Sequence, residues 1–170
     1  VSKNFIAAVE DLEASGVRHL VIDLRNNTGG MASEVIDMLD YLLPAATIAT
    51  LKGRDNGKPF ESTWRSDKMT GVPDTMRYAI LTNGITASAS ELFAGCLRDY
   101  GKAVIIGEQT FGKGSGTITI TLEDGSAVNL TNFLYYLPGG ESIEGIGLTP
   151  DQVVELPEDA RGISLNRLTI

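Results

Sequence analysis

The sequence is poor in the residues that build disulfides and metal sites. Of its 170 residues, one is a cysteine, Cys96, and one is a histidine, His19. A single cysteine cannot close a disulfide within the chain, and zinc sites usually draw on several Cys or His ligands. The composition therefore predicts no metal, no cofactor and a reaction carried out by ordinary side chains. We interpret Cys96 as a core residue and His19 as the start of a strand.

The sequence also lacks long hydrophobic runs and an excess of positive charge. No apolar run approaches the roughly 18 to 20 residues that cross a bilayer, so no membrane span is expected in this segment. The 14 Lys and Arg residues against 22 Asp and Glu residues give a net charge of -8, the wrong sign for a nucleic-acid partner.

A hydrophobic content of 42% is enough to form one core. We expect residues 1–170 to form a single domain cut from a longer protein that began before Val1.

The spacing of apolar residues predicts an α/β fold. Helical spacing predicts three helices, over residues 1–15, 33–43 and 91–100. Short apolar runs predict buried parallel strands at 19–24, 78–82 and 103–107. A strand at 47–51 is predicted to be followed by a hairpin and a surface excursion to about residue 70. Alternation predicts two further strands at 117–122 and 127–137, joined by a turn at 123–125, so the C-terminal third is β-rich.

Three polar, glycine-containing loops follow the three predicted parallel strands. They span residues 25–30, 83–91 and 108–114. Loops that leave the carboxyl ends of parallel strands emerge at one edge of the sheet, where binding sites collect. We therefore expect Ser88 in the second loop and Lys113 in the third loop to lie close together, although they are far apart in the sequence.

Ser88 and Lys113 are candidates for a nucleophile and its base. Ser88 comes just before a predicted helix, whose free N–H groups and dipole favour negative charge near its hydroxyl. A lysine amine is normally protonated at neutral pH, so the role of base predicts that Lys113 is withdrawn from water. The backbone amides of Ala89 and of Gly29 or Gly30 could stabilise an oxyanion.

Each of these residues also has a simpler interpretation. Ser88 with Glu91 fits the capping box S-x-x-E, and judged alone Ser88 is more typical of a helix cap. A lysine between glycines, such as Lys113, is usually a solvated loop residue. The pair Gly29 and Gly30 can be only a turn, and Tyr135 with Tyr136 is typical of strand packing.

Taken together, the loops resemble the carboxyl-terminal processing peptidases, also called tail-specific proteases. The matching segments are Asp-Leu-Arg-Asn-Asn at 23–27 with the glycine pair at 29–30, Thr-Ala-Ser-Ala-Ser-Glu at 86–91, Thr-Phe-Gly-Lys-Gly at 110–114 and Gly-Ile-Gly-Leu-Thr-Pro-Asp at 145–151. Their order and spacing agree with the family from about residue 5 to residue 154. A single matching segment is weak evidence for the family, but four segments in the same order are specific evidence.

The resemblance assigns roles to individual residues. Ser88 occupies the nucleophile position and Lys113 the base position, with oxyanion donors at Ala89 and at one of Gly29 and Gly30. Two supporting residues are added, Asp99 and Thr117. Asp99 matches an acidic family position at the far end of the helix after Ser88, where we expect it to support the helix rather than transfer a proton. Thr117 stands where many members have a glutamine that orients the lysine amine, and we expect its hydroxyl to take over that contact.

The resemblance also implies a fold, a reaction and partners. The fold is a crotonase-like β/α core, and the reaction is serine peptidase cleavage near protein C-termini through an acyl-enzyme. The expected partners are unstructured C-terminal tails as substrates and a PDZ domain in the full-length chain, and the expected location is outside the cytoplasm. Two alternatives stay open: a non-catalytic peptide-binding module of the same fold, and an acyl-CoA enzyme of the crotonase superfamily.

Overall fold

The computed structural model describes residues 1–55, 57–67 and 69–155. Its helices are α1 (Ser2–Ala14), α2 (Ala32–Leu42) and α3 (Ala89–Asp99). Its strands are β1 (His19–Asp23), β2 (Ala46–Asp55), β3 (Lys58–Ser66), β4 (Arg77–Thr82), β5 (Ala103–Gly107), β6 (Ser115–Thr121), β7 (Ala127–Tyr136) and β8 (Gln152–Val153). Of the helices described, none has the length and apolar character needed to cross a bilayer.

The first sheet is parallel and carries the three predicted loops. Its strand order is β1-β4-β5-β8, and each neighbouring pair runs in the same direction. The prediction of parallel strands followed by glycine-containing loops is confirmed. The strand β8 was not predicted, because two paired residues are too few to produce a periodic pattern. It is held beside β5 by ladder pairing and by the Asp151 carboxylate, which accepts a hydrogen bond from the Ile105 N–H at 2.7 Å.

The second sheet is antiparallel, in the order β3-β2-β7-β6. The predicted hairpin of β6 and β7 is confirmed. The predicted strand that ends at Leu51 is too short, since β2 continues to Asp55 and pairs with β3 along its whole length. Beyond Leu51 the strand carries charged, exposed residues, so the hydrophobic pattern ends before the hydrogen-bond ladder does. The surface excursion is therefore largely a long hairpin.

The two sheets share a core with the helices α2 and α3. The fully buried side chains include Leu39, Leu42, Ile48, Ile80, Leu97 and Ile105. Helix α3 is buried along most of its length, which fixes the position of its first residue, and hence of Ser88, relative to both sheets. Cys96 lies in this core, where burial raises the pKa of its thiol to about 12, so the thiol stays protonated.

Candidate active site

The three predicted loops meet at the carboxyl edge of the parallel sheet. Two hydrogen bonds join the first loop to the second. The Asn83 side-chain amide donates to the Asn26 Oδ1 at 2.9 Å, and the Asn26 main-chain N–H donates to the Asn83 Oδ1 at 3.0 Å. The Ala87 N–H also donates to the Asn27 carbonyl at 3.0 Å. The third loop joins the second where the Phe111 N–H donates to the Thr86 carbonyl at 2.9 Å. The prediction that these loops lie together is confirmed.

Ser88 is the N-cap residue of α3, and its backbone has an uncommon conformation. Its φ of 59° and ψ of -121° lie outside the regions that non-glycine residues normally occupy. Such conformations cost on the order of 1–3 kcal/mol and persist only where surrounding contacts impose them. The side chain is partly exposed. The sharp turn therefore presents the hydroxyl at the head of the helix, where the helix dipole favours negative charge.

Glu91 connects Ser88 to the loop that carries Lys113. This carboxylate is fully buried. Its Oε2 accepts hydrogen bonds from the N–H groups of Ser88 at 2.7 Å and Lys113 at 2.9 Å. Its Oε1 accepts from the Gly112 N–H at 2.8 Å and from the Thr110 hydroxyl. Four donors occupy the roughly four acceptor positions of a carboxylate, so one side chain fixes two distant loops.

The main chain of Lys113 lies near that of Ser88, because both N–H groups bind the Glu91 Oε2. The side chain of Lys113 is exposed. Among the described residues, its amine makes no hydrogen bond or ion pair, and so none with the Ser88 hydroxyl. This exposure differs from the withdrawal from water that the role of base predicts. The glycines on either side are constrained instead: a Cβ at Gly114 would lie 2.7 Å from the Glu144 nitrogen, and one at Gly112 would lie 2.7 Å from the Gly147 nitrogen.

The candidate oxyanion donors lie around Gly29. A Cβ at this glycine would lie 2.8 Å from the Ala89 nitrogen and 3.0 Å from the Ser88 Cβ, so only a glycine leaves the Ala89 N–H accessible. The Gly29 N–H itself donates to the Asn27 Oδ1 at 3.0 Å. In the part of the chain that the structure describes, the Ala89 and Gly30 N–H groups have no acceptor. Ala89 and Gly30 therefore each have an N–H group free to bind an oxyanion, whereas the Gly29 N–H is already bonded.

An apolar cavity of about 420 Å³ opens beside these amides. Gly29, Gly30 and Ala89 form one part of its wall. Most of the remaining wall is made of aliphatic, aromatic and methionine side chains: Phe5, Ile22, Leu24, Met31, Val35, Met38 and Phe93. Its volume falls in the usual range for ligand pockets, which are lined mainly by apolar groups with a few polar atoms. A group bound at the two amides would have this cavity next to it.

The two supporting residues lie at different places. Asp99 is the last residue of α3, and its Oδ2 accepts a hydrogen bond from the Gly139 N–H at 2.9 Å. Its carboxylate is therefore engaged with the turn that follows β7, at the opposite end of the helix from Ser88. Thr117 lies on β6 and is exposed. Within the described ranges, its hydroxyl makes no hydrogen bond to Lys113.

Sequence reasoning missed the part that Glu91 and Tyr135 play at this site. The S-x-x-E pattern predicts only a capping box for Glu91. A carboxylate has two oxygens, however, and the one not needed for the cap binds the loop at 110–113. Tyr135 was assigned to strand packing, yet its hydroxyl lies 3.0 Å from the Ser88 carbonyl oxygen. No local pattern could show this contact, because it depends on how β7 pairs with β2.

The family model and the curated relatives that match this chain point to the same family of proteases. The model of peptidase family S41 matches residues 1–154. A carboxy-terminal-processing protease of Bartonella bacilliformis is 41% identical over 163 residues, 92% of this chain and 37% of that protein. A probable CtpA-like serine protease of Staphylococcus saprophyticus is 37% identical over 152 residues, 89% of this chain and 30% of that protein.

A solved structure agrees with these relatives. The photosystem II D1 C-terminal processing protease superposes with a TM-score of 0.80 at 32% identity, over 95% of this chain and 42% of that one. The chain thus spans about a third of the length of the curated relatives that it matches. The match of the family model and the identity to these relatives show that the chain belongs to peptidase family S41.

Proposed function

We propose that this chain is the single-domain catalytic core of a serine endopeptidase that uses Ser88 as nucleophile and Lys113 as general base. The observation that carries the proposal is the shared Glu91 Oε2, which accepts the N–H of both residues and so joins their main chains. This contact brings a hydroxyl at a helix N-terminus and a lysine from a distant loop to one place. Activated serines with an adjacent base form covalent acyl intermediates.

The reaction proceeds in two halves. In the first, the neutral amine of Lys113 takes the proton of the Ser88 hydroxyl while Oγ bonds to the peptide carbonyl carbon. The C–N bond then breaks, the amine returns the proton to the leaving amino group, and an ester to Ser88 remains. In the second half, Lys113 takes a proton from water as the hydroxide bonds to the ester carbonyl carbon. The C–Oγ bond then breaks, the proton returns to Oγ, and the acyl part of the substrate leaves with a new carboxyl terminus. Ser88 and Lys113 are thereby restored.

The oxyanion of each tetrahedral intermediate is assigned to the amides of Ala89 and Gly30. Both N–H groups lack an acceptor among the described residues, and Ala89 is the first residue of α3, where the helix dipole adds to the attraction. Donors of this kind, fixed before the reaction, contribute about 2.7–4 kcal/mol each to lowering the barrier. Gly29 contributes space rather than a donor.

The exposed Lys113 requires desolvation before it can act. A peptide lying across the site would cover the loop at 112–114 and exclude water from the amine. Burial of this kind favours the neutral form of a lysine. We therefore assign the completion of the dyad to substrate binding, with the main chain of Lys113 already in place and only its side chain changing position.

The cavity beside the amides supports an apolar residue on the acyl side of the cleaved bond. The side chain of that residue is attached one bond away from the reacting carbonyl, and the cavity that would receive it is lined by apolar residues such as Leu24, Val35 and Phe93. We propose that the substrates are unstructured protein C-terminal tails and that the remaining length of the protein includes a PDZ domain. We propose a location outside the cytoplasm, in keeping with the family resemblance.

Substitutions in the full-length protein test this function. Ser88→Ala and Lys113→Ala should each abolish cleavage of an unstructured peptide, and Ser88→Ala should also abolish labelling by a fluorophosphonate. Matched controls are Ser62→Ala and Lys58→Ala, which alter exposed residues of β3 and should leave both measurements unchanged. Cleavage that survives Ser88→Ala would refute the assignment. An unaltered protein that binds the peptide but is neither labelled nor able to cleave it would favour a binding module.

A further inference from the structure

Tyr135 reaches the site from outside the three loops. It lies on β7, and only 4% of it is exposed. Its hydroxyl oxygen lies 3.0 Å from the carbonyl oxygen of Ser88 and 2.9 Å from that of Lys113. Its main-chain N–H donates to the Gly114 carbonyl at 2.8 Å. One residue therefore contacts the main-chain carbonyl of Ser88 and the two successive carbonyls of Lys113 and Gly114.

The tyrosine hydroxyl is a stable donor in this position. Burial, followed by the nearby Glu91 and Glu144 carboxylates, raises the pKa of Tyr135, so the hydroxyl keeps its proton. It has one proton to share between two carbonyl oxygens. The Ser88 carbonyl also accepts from the Leu92 N–H at 3.0 Å. Within the described ranges, the Lys113 carbonyl accepts from the tyrosine alone, so this carbonyl depends most on the hydroxyl.

Tyr135 and Glu91 hold the same two residues by opposite groups. The Glu91 carboxylate binds the N–H groups of Ser88 and Lys113, and the Tyr135 hydroxyl binds their carbonyl oxygens. Glu91 thus links the two residues through their N–H groups, and Tyr135 links them through one proton shared between their carbonyl oxygens. Because the Lys113 amine makes no hydrogen bond or ion pair among the described residues, its reach to Ser88 depends on this main chain.

We propose that Tyr135 is a positioning residue, which holds the Lys113 main chain against Ser88 so that the amine reaches the hydroxyl when substrate binds. This inference rests on the proposed Ser88 and Lys113 reaction. Tyr135 does not contact the reacting atoms and exchanges no proton with them. Its effect is on the distance between the Lys113 amine and the Ser88 hydroxyl. A displacement of a reacting group by about 1 Å can lower the rate on the order of 100-fold.

The test is Tyr135→Phe in the full-length protein, which keeps the ring and removes the hydroxyl. We expect kcat for peptide cleavage to fall about 10- to 100-fold with KM unchanged. A less firmly held amine spends more time in water, where its proton is harder to remove, so the rising limb of the kcat profile should move to higher pH. The control is Tyr136→Phe, on the next residue of the same strand, whose ring faces Lys52.

The pH profile separates positioning from a general loss of structure. Partial unfolding would lower the free energy of unfolding in urea together with the amplitude of the profile, whereas displacement of the base in a protein of unchanged stability moves the limb. If Y135F does not fold, p-fluorophenylalanine and p-aminophenylalanine at this position keep the volume and differ in the donor, and only the amino form should retain the rate. Ser88→Ala distinguishes the two proposals: cleavage that survives it refutes the proposed function. If Ser88→Ala is inactive while Y135F matches Y136F in kcat and pH profile, the positioning role alone is refuted.

Discussion

Among the single residues of the site, Glu91 has the most contacts to lose. Its two oxygens accept four hydrogen bonds inside the protein. In Glu91→Gln, the amide NH₂ would face two of these donors instead of accepting from them. Each unsatisfied buried group costs about 1–3 kcal/mol. We expect Glu91→Gln to lower the free energy of unfolding by roughly 2–5 kcal/mol, measured in urea. An unfolding midpoint equal to that of the unaltered protein would contradict this role.

Gly29 allows a test of the proposed oxyanion site with a single substitution. A side chain here would press on the Ala89 nitrogen, so Gly29→Ala should lower kcat about 100-fold or more by blocking one donor. The substitution also strains a backbone with a φ of +89°. Gly16→Ala is the matched control for strain, because its φ is +87° and nothing lies near its Cβ. Equal losses of activity in the two variants, at equal stability, would show that strain alone is responsible.

Helix α3 begins after Ser88, the proposed nucleophile, and ends at Asp99, beside the turn that follows β7. The Asp99 carboxylate contacts this turn through the Gly139 N–H. We expect Asp99→Asn to keep the hydrogen bond through its side-chain oxygen and to retain most of the activity. Asp99→Ala should lose about 1–2 kcal/mol of stability. Peptide cleavage and thermal unfolding measured on both variants check this, and an Asn variant as inactive as the Ala variant would point to a proton-transfer role.

The elements of the parallel sheet could be predicted because each has a local pattern. The apolar runs that became β1, β4 and β5 and the glycine loops after them were visible in the sequence, and parallel geometry alone placed the loops together. The long β2 was only half predicted, since charged residues beyond Leu51 hide a ladder that continues. The pairing of β2 with β7, which carries Tyr135 to the site, left no local signal. The exposure of the Lys113 side chain agrees with the simpler interpretation of a lysine between glycines and not with the withdrawal from water that the role of base predicts.

On the scale of the whole molecule, the apolar cavity between α1, β1, α2 and α3 is expected to set the substrate preference. Val35 is buried and lines this cavity, so Val35→Phe should reduce its volume. We expect kcat/KM to fall about 10-fold or more for peptides with leucine before the cleaved bond, and much less for alanine, since one methylene in an apolar pocket contributes about 1–3 kcal/mol. Val21→Phe is the control, because Val21 is 69% exposed on the sheet and lies outside the cavity wall. Paired peptides that differ only at that residue provide the measurement. An unchanged leucine-to-alanine ratio in Val35→Phe, with stability preserved, would show that the substrate side chain binds elsewhere.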